Sequence, residues 1–156
     1  MMTLPALAAA ITPVDAALEP VLRALLDGKA KPPGSLGRIE DLAVRIGLVQ
    51  NRPDPRIART DLYVFAGDHG LTDEGVSAYP SSVTAAMVGL FLSGRSSVSA
   101  FARASGVQVR VVDAGVDADL PGHPDLVAAK IRRGTRNAAR EPALTPDEVL
   151  AAIARG

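Results

Sequence analysis

The chain of 156 residues contains no cysteine and no tryptophan, and its aromatic content is only 3 %. Without cysteine there is no disulfide, no thiolate metal ligand and no cysteine nucleophile. So few aromatic rings also leave little to stack on nucleic-acid bases. Lys and Arg number 17, as do Asp and Glu. A formal net charge of zero lacks the basic excess expected of a nucleic-acid binder or of an electrostatic membrane anchor. No uninterrupted apolar run reaches the roughly 20 residues a membrane span needs. The apolar, Ala-rich start from Met1 to Ile11 lacks a basic leader and contains Pro5, so no signal peptide is expected. A cytoplasmic protein, binding neither nucleic acid nor membrane, is the resulting expectation.

What is present is aliphatic. Hydrophobic residues make up 47 %, enough for one domain with a core built of Ala, Val, Leu and Ile. Thr12-Pro13 reads as a helix start, with Thr12 as N-cap. Val14, Leu18, Val21, Leu22 and Leu25 continue at helical spacing, with a kink or restart at Pro20 and a stop at Gly28. Lys31-Pro-Pro-Gly-Ser-Leu-Gly-Arg38 reads as a rigid turn. Ile39, Leu42, Ala43, Ile46 and Val49 then mark a second helix, with an Asp41–Arg45 pair on its other face. Asn51-Arg-Pro-Asp-Pro55 is a linker.

Leu62-Tyr-Val-Phe-Ala66 is a continuous apolar run, as in a parallel strand buried on both faces. A long loop from His69 to Ser81 follows, then helices around Val83–Phe91 and Ser97–Ala104. Val107–Val112 is a second strand, and Val127–Ile131 a weaker third. Strand, helices, strand is a parallel crossover, which predicts an α/β fold. Thr145 and Glu148 form a capping box for a last helix. Two or three parallel strands leave uncovered edges, so the sequence reads as an incomplete sheet, truncated or completed by a partner. The expected division is an N-terminal helical region, 1–56, and the first part of an α/β domain, 57–156.

In open parallel sheets ligands bind beyond the carboxyl ends of the strands. Both clear strands end there in an aspartate and glycines: Gly67-Asp-His-Gly70, and Asp113-Ala-Gly-Val-Asp117. Asp68 and Asp113 should therefore share a crevice. Asp68 and His69 either brace the following loop or touch a ligand. Asp73-Glu74 reads as a solvated pair or loop brace, and His123 as a loop residue. Arg132, Arg133, Arg136 and Arg140 form either a solvated face or a phosphate site. Asp68, His69, Asp73, Asp113 and Asp117 are the residue types that hold Mn²⁺ or Mg²⁺, but with two histidines and no close ligand pair no metal site is assigned.

Lys31-Pro-Pro-Gly-Ser-Leu-Gly-Arg38, Ala66-Gly-Asp-His-Gly70, Asp73-Glu-Gly-Val76, Val83-Thr84, Asp113-Ala-Gly-Val-Asp117 and Gly134-Thr-Arg-Asn137, in this order, resemble the nicotinate-nucleotide–dimethylbenzimidazole phosphoribosyltransferase family. The resemblance runs from about Leu18 to the C-terminus. It implies a Rossmann-like parallel sheet plus a small helical domain, as a homodimer, with no metal or organic cofactor. It implies transfer of phosphoribose from nicotinate mononucleotide to 5,6-dimethylbenzimidazole, giving nicotinate and α-ribazole phosphate, the cobalamin lower-ligand precursor.

The family's catalytic base is a glutamate that lies beyond the region matched here. No catalytic residue is therefore assigned in this chain, and Glu141 and Glu148 do not match that glutamate. The substrate-binding residues implied are Asp68, His69, Gly70, Tyr79, Pro80, Ser81, Thr84 and Met87, with a phosphate or loop role for Lys31, Ser35, Arg38, Arg136 and Asn137. Tyr79 stands where relatives carry a serine that touches the base, and Met87 (or Ala86) where they carry a glutamine. The partners implied are the aromatic base, nicotinate mononucleotide, and a second copy or a complementary C-terminal chain. Without such a partner the apolar stripes of the first two helices would be exposed. Two further readings remain: a non-catalytic module that binds an azole or nucleotide, or assembles with a relative, and a metal-dependent phosphohydrolase using Asp68 and His69.

Overall fold

A computed structural model describes residues 4–155. The first three residues of the apolar start lie outside it. The chain divides into two compact units, one within Thr3–Ala58 and one within Arg59–Gly156.

The helical unit opens with α1, Leu4–Ala10. Thr12 caps no helix. Residues 11–15 are non-helical, and the Asp15 side chain instead accepts from the Ala17 amide at 2.9 Å to cap a 3-10 turn, Ala16–Leu18. Helix α2, Glu19–Asp27, restarts there with Pro20 in its first turn, where its missing N–H costs nothing. It ends at Gly28. The turn before α3, Arg38–Gln50, passes through positive φ at Gly34 and Gly37. Glu40 closes this turn, accepting from the Leu36 amide at 3.1 Å and sitting 2.8 Å from Lys31 Nζ.

Helices α2 and α3 meet at one close point. An added Cβ on Gly47 would lie 2.6 Å from Leu22 Cδ2, and Leu22, Val44 and Gly47 are the buried residues there. The inward strip is correspondingly narrow. Ile39, Leu42 and Val49 of the expected stripe stay exposed, as do Val21 and Leu25. Asp41 pairs with Arg23 across the helices, at 3.4 Å, instead of with Arg45.

In the second unit β1, Asp61–Gly67, and β2, Gln108–Gly115, run parallel, and β3, Leu126–Ala128, lies parallel on the far side of β2. This is an α/β parallel sheet, joined by the crossover helices α4, Ser82–Leu92, and α5, Ser97–Ala104. Taken together Ser82–Ala104 is long and apolar enough to cross a membrane. It is however two helices of 11 and 8 residues broken at Gly94, where φ is 70°, and each is too short to span. The core is Ala66, Val88, Val111 and Val116.

Strand β1 is not buried on both faces. It is an edge strand of the three, and Tyr63 and Phe65 are 50 % and 66 % exposed. Strand β3 stops at Ala128, short of Ile131, because the chain bends away after the Ala129 amide bonds the Asp113 carbonyl at 3.0 Å. The final helix α6, Pro146–Ile153, carries the expected capping box of Thr145 and Glu148. Val111 sits at the centre of β2 with 1 % exposure. Val111→Ala should lower stability by about 2 kcal/mol through lost burial and an unfilled cavity, measurable as a shift in denaturation midpoint at unchanged slope.

Candidate functional site

The carboxyl ends of β1 and β2 are joined through Asp68, which is 7 % exposed. Its amide donates to the Gly115 carbonyl at 3.0 Å, and its carbonyl accepts from the Thr135 amide at 2.9 Å. Its Oδ1 accepts from the Thr84 hydroxyl at 2.6 Å, and Oδ2 from the Asp117 amide at 2.7 Å. Four chain segments thus meet on one buried residue, whose charge is met by donors on both oxygens. Asp113 serves the neighbouring turn instead. Its Oδ1 accepts from the Gly115 and Val116 amides at 3.2 and 2.9 Å, and Oδ2 lies 3.1 Å from Lys130 Nζ.

Beyond β1 the expected long loop contains a 3-10 helix, Gly70–Glu74, before Gly75 reverses the chain at φ 71°. Between this loop and α4 lies a cavity of about 540 Å³, a size that suits a small molecule. Asp68, His69, Tyr79, Pro80, Ser81, Thr84 and Met87 line it together. Its apolar walls come from Phe65, Leu71, Val76, Val83 and Phe91; of these, Phe65, Leu71 and Val76 are not site residues that the sequence pointed to. The signal was there, since aliphatic residues inside an otherwise polar loop need a surface to face. A second cavity of about 260 Å³ lies toward residues 131–135 and α6 and shares residues 65–69 with the first. His69 borders both, is exposed, and bridges to Thr135 through the backbone.

Gly70 does not line the cavity. It lies where a Cβ would be 2.7 Å from the backbone of Thr135, Arg136 and Asn137, which only glycine permits. Arg136 forks onto Glu148, at 2.6 and 3.1 Å, and Arg132 Nε lies 3.7 Å from the same carboxylate. Asn137 donates to Glu74 at 2.6 Å, and Arg140 Nη2 lies 2.8 Å from the same oxygen. Arg133 pairs with Asp119. The arginine cluster is therefore neutralised by carboxylates, and Glu74 acts as a loop brace. His123 accepts from the Asp125 amide within its own loop.

Lys31, Ser35 and Arg38 belong to the helical unit. There Lys31 meets Glu40, the Ser35 amide bonds the Pro32 carbonyl, and Arg38 opens α3. Among the described residues no three His, Asp or Glu side chains converge as a metal site would require.

The arginine fork has an electrostatic consequence. Chiefly through the hydrogen bond from Arg136, and next through the Thr145 amide, the Glu148 carboxyl is held from its usual 4.5 down to about 2. A carboxylate that weak as a base is suited to fastening α6, not to taking a proton near neutrality.

A family model described as a phosphoribosyltransferase matches residues 11–156. Among curated proteins, the chain is 50 % identical over 146 residues to nicotinate-nucleotide–dimethylbenzimidazole phosphoribosyltransferase of Cupriavidus taiwanensis, and 49 % over 146 residues to that of Geobacter sulfurreducens. In both cases the match covers 94 % of this chain and 42 % of the relative, so the chain spans less than half the length of these relatives. The crystal structure of the enzyme of the same name from Thermus thermophilus superposes with a TM-score of 0.83 at 42 % identity, covering 90 % of this chain and 43 % of the other.

Two outcomes follow from the loop beyond β1 and its ties. Gly70→Ala should cost about 2 kcal/mol, because the backbone of residues 135–137 must be displaced, and a denaturation curve measures this directly. The Glu148 pairing lowers a folded-state pKa. Its contribution is therefore complete above the unfolded value near 4.5 and lost as pH falls through about 2. Amide exchange in α6 should accelerate across that window, and Glu148→Gln should remove this pH dependence. An unchanged acid profile in the variant would assign the transition to another group.

Proposed function

The chain belongs to the nicotinate-nucleotide–dimethylbenzimidazole phosphoribosyltransferase family, and from that premise we propose that it supplies the aromatic-base side of a phosphoribosyl transfer. The reaction would move phosphoribose from nicotinate mononucleotide to 5,6-dimethylbenzimidazole. The bond from the pyridinium nitrogen to the anomeric carbon breaks as that from the benzimidazole nitrogen forms. Nicotinate leaves, and a carboxylate takes the benzimidazole proton. A cationic pyridinium is already a good leaving group, so the protein's main task is to hold the incoming nitrogen against the anomeric carbon.

The observation that carries this reading is the cavity between the loop 69–81 and α4. It gathers Asp68, His69, Tyr79, Pro80, Ser81, Thr84 and Met87 against apolar walls, an environment suited to a flat, weakly polar ring. With Tyr79 and Met87 on that wall, fewer compact polar groups face the ring than a serine and a glutamine would give. Asp68 is the one carboxylate among the described lining residues, and Thr84 and the Asp117 amide occupy both its oxygens. The proton acceptor is then a group outside the residues assigned here, contributed by a second copy or a complementary chain. The same logic gives the helical region 1–56 a partner for its exposed stripes, and a cytoplasmic setting fits both substrates. A cavity without a free carboxylate equally suits a base-binding module without turnover, which is the second reading.

Titration of the purified chain with 5,6-dimethylbenzimidazole tests the binding claim. Formation of α-ribazole phosphate, assayed with the chain alone and with the remaining segment of a relative added, separates the two readings. Binding alone and product only on mixing is the expected outcome. Binding that never leads to product favours the module. Robust turnover by the lone chain would overturn the placement of the base and turn attention to Asp68, Asp73 and Glu74.

A further inference from the structure

We propose that Asp68 is a positioning residue, which through Thr84 sets the rotation of α4 and thereby the width of the base cavity. The cavity's use for an aromatic base rests on the function proposed above; the positioning itself rests on geometry. Helix α4 reads Ser-Val-Thr-Ala-Ala-Met-Val-Gly-Leu-Phe-Leu, apolar around almost its whole circumference. Such a helix has no polar face to choose its orientation, and apolar contact alone does not fix which residues turn inward. Only Val88 is fully buried in it.

At the N-terminal end of α4 the first turn is closed by backbone bonds, from the Val83 amide to the Pro80 carbonyl and from the Thr84 amide to the Ser81 carbonyl, both at 3.0 Å. Ser81 makes no side-chain cap, and the helix starts directly from Pro80 and Ser81 of the cavity wall. The Thr84 hydroxyl, 2.6 Å from Asp68 Oδ1, is the directional contact that ties this end to the sheet. A hydrogen bond to a buried carboxylate is short and strong. Thr84 and Met87 are three residues apart and so share a face with Val88. Fixing Thr84 therefore fixes how far Met87 reaches into the cavity. The other carboxylate oxygen holds the Asp117 amide at 2.7 Å, so the loop after β2 is referenced to the same point.

The test compares Thr84→Val, which keeps the shape and removes the donor, with Thr84→Ser, which keeps the donor. Amide hydrogen exchange is read first, because it needs no ligand. With Thr84→Val, exchange in the first two turns of α4 should be about tenfold faster, the value of one charge-assisted hydrogen bond, with β2 unchanged, and Thr84→Ser should restore it. Affinity for 5,6-dimethylbenzimidazole should fall by about the same factor. Its ratio to the affinity for unsubstituted benzimidazole should move toward one, a ratio that general destabilisation leaves alone.

Asp68→Asn provides a second variant if Thr84→Val does not fold. Its amide can turn so that the carbonyl oxygen accepts from the Asp117 N–H and the NH2 group donates to the Thr84 hydroxyl; the contact to α4 then loses its charge, and exchange in the first turns of α4 should accelerate about threefold. Wild-type exchange rates in α4 of Thr84→Val, or an unchanged affinity ratio, would overturn the proposal, as would wild-type exchange rates in α4 of Asp68→Asn. If the wild-type chain binds neither base, the functional reading fails, and the exchange data alone support or overturn the positioning role.

Discussion

A carboxylate removed from water at the end of a parallel strand must find donors for both oxygens, and the way this chain meets that demand orders much of the α/β unit. Asp68 finds one donor in a helix side chain and one in the loop after the neighbouring strand, while its own backbone links β2 to the turn at 134–135. Losing either donor to the carboxylate would leave a buried oxygen without a partner. The crossover helix, both strand ends and the arginine-bearing loop are therefore drawn to a common point. The cavity is what remains between these segments once they are so arranged.

The charge balance of the sequence has a structural meaning that a net value conceals. Cations and anions are matched locally: Arg136 and Arg132 with Glu148, Arg140 with Glu74, Arg133 with Asp119, Lys31 with Glu40. Several of these join segments far apart in sequence, Glu74 to Arg140 being 66 residues apart. The more exposed of these pairs, Arg140–Glu74 and Arg133–Asp119, add little stability singly. Their arrangement nonetheless decides which loops lie against the strand ends, and it leaves the cavity walls largely apolar.

Much of this arrangement was legible in the sequence because it depends on local rules. The apolar run 62–66, the crossover helices and the second strand announce a parallel sheet. Thr145 and Glu148 announce a helix start, since the capping box is a contact between residues three apart. Strand-end logic pointed to Asp68 and His69, while the place of residues 79–87 beside them came from the family resemblance. What stayed hidden depends on partners. Thr12 and Asp15 are both capable caps, and only the path of the chain selects Asp15. The run 62–66 reads as doubly buried, yet Tyr63 and Phe65, two positions apart and so on one face of the strand, are half to two-thirds exposed because the described residues leave that face of β1 largely uncovered. The role of Gly70 depends on the approach of residues 135–137, which no spacing within its own motif reveals.

The two cavities at the end of β1 have residues 65–69 as a common wall. A side chain that lines both cavities cannot move for one of them alone. Whatever pushes His69 or Phe65 from the larger chamber alters the space available in the smaller one, and linkage requires the effect to be equal in the other direction. The end of β1 is thus a boundary that both cavities have in common, and a change of side chain at 65 or 69 reshapes the two together.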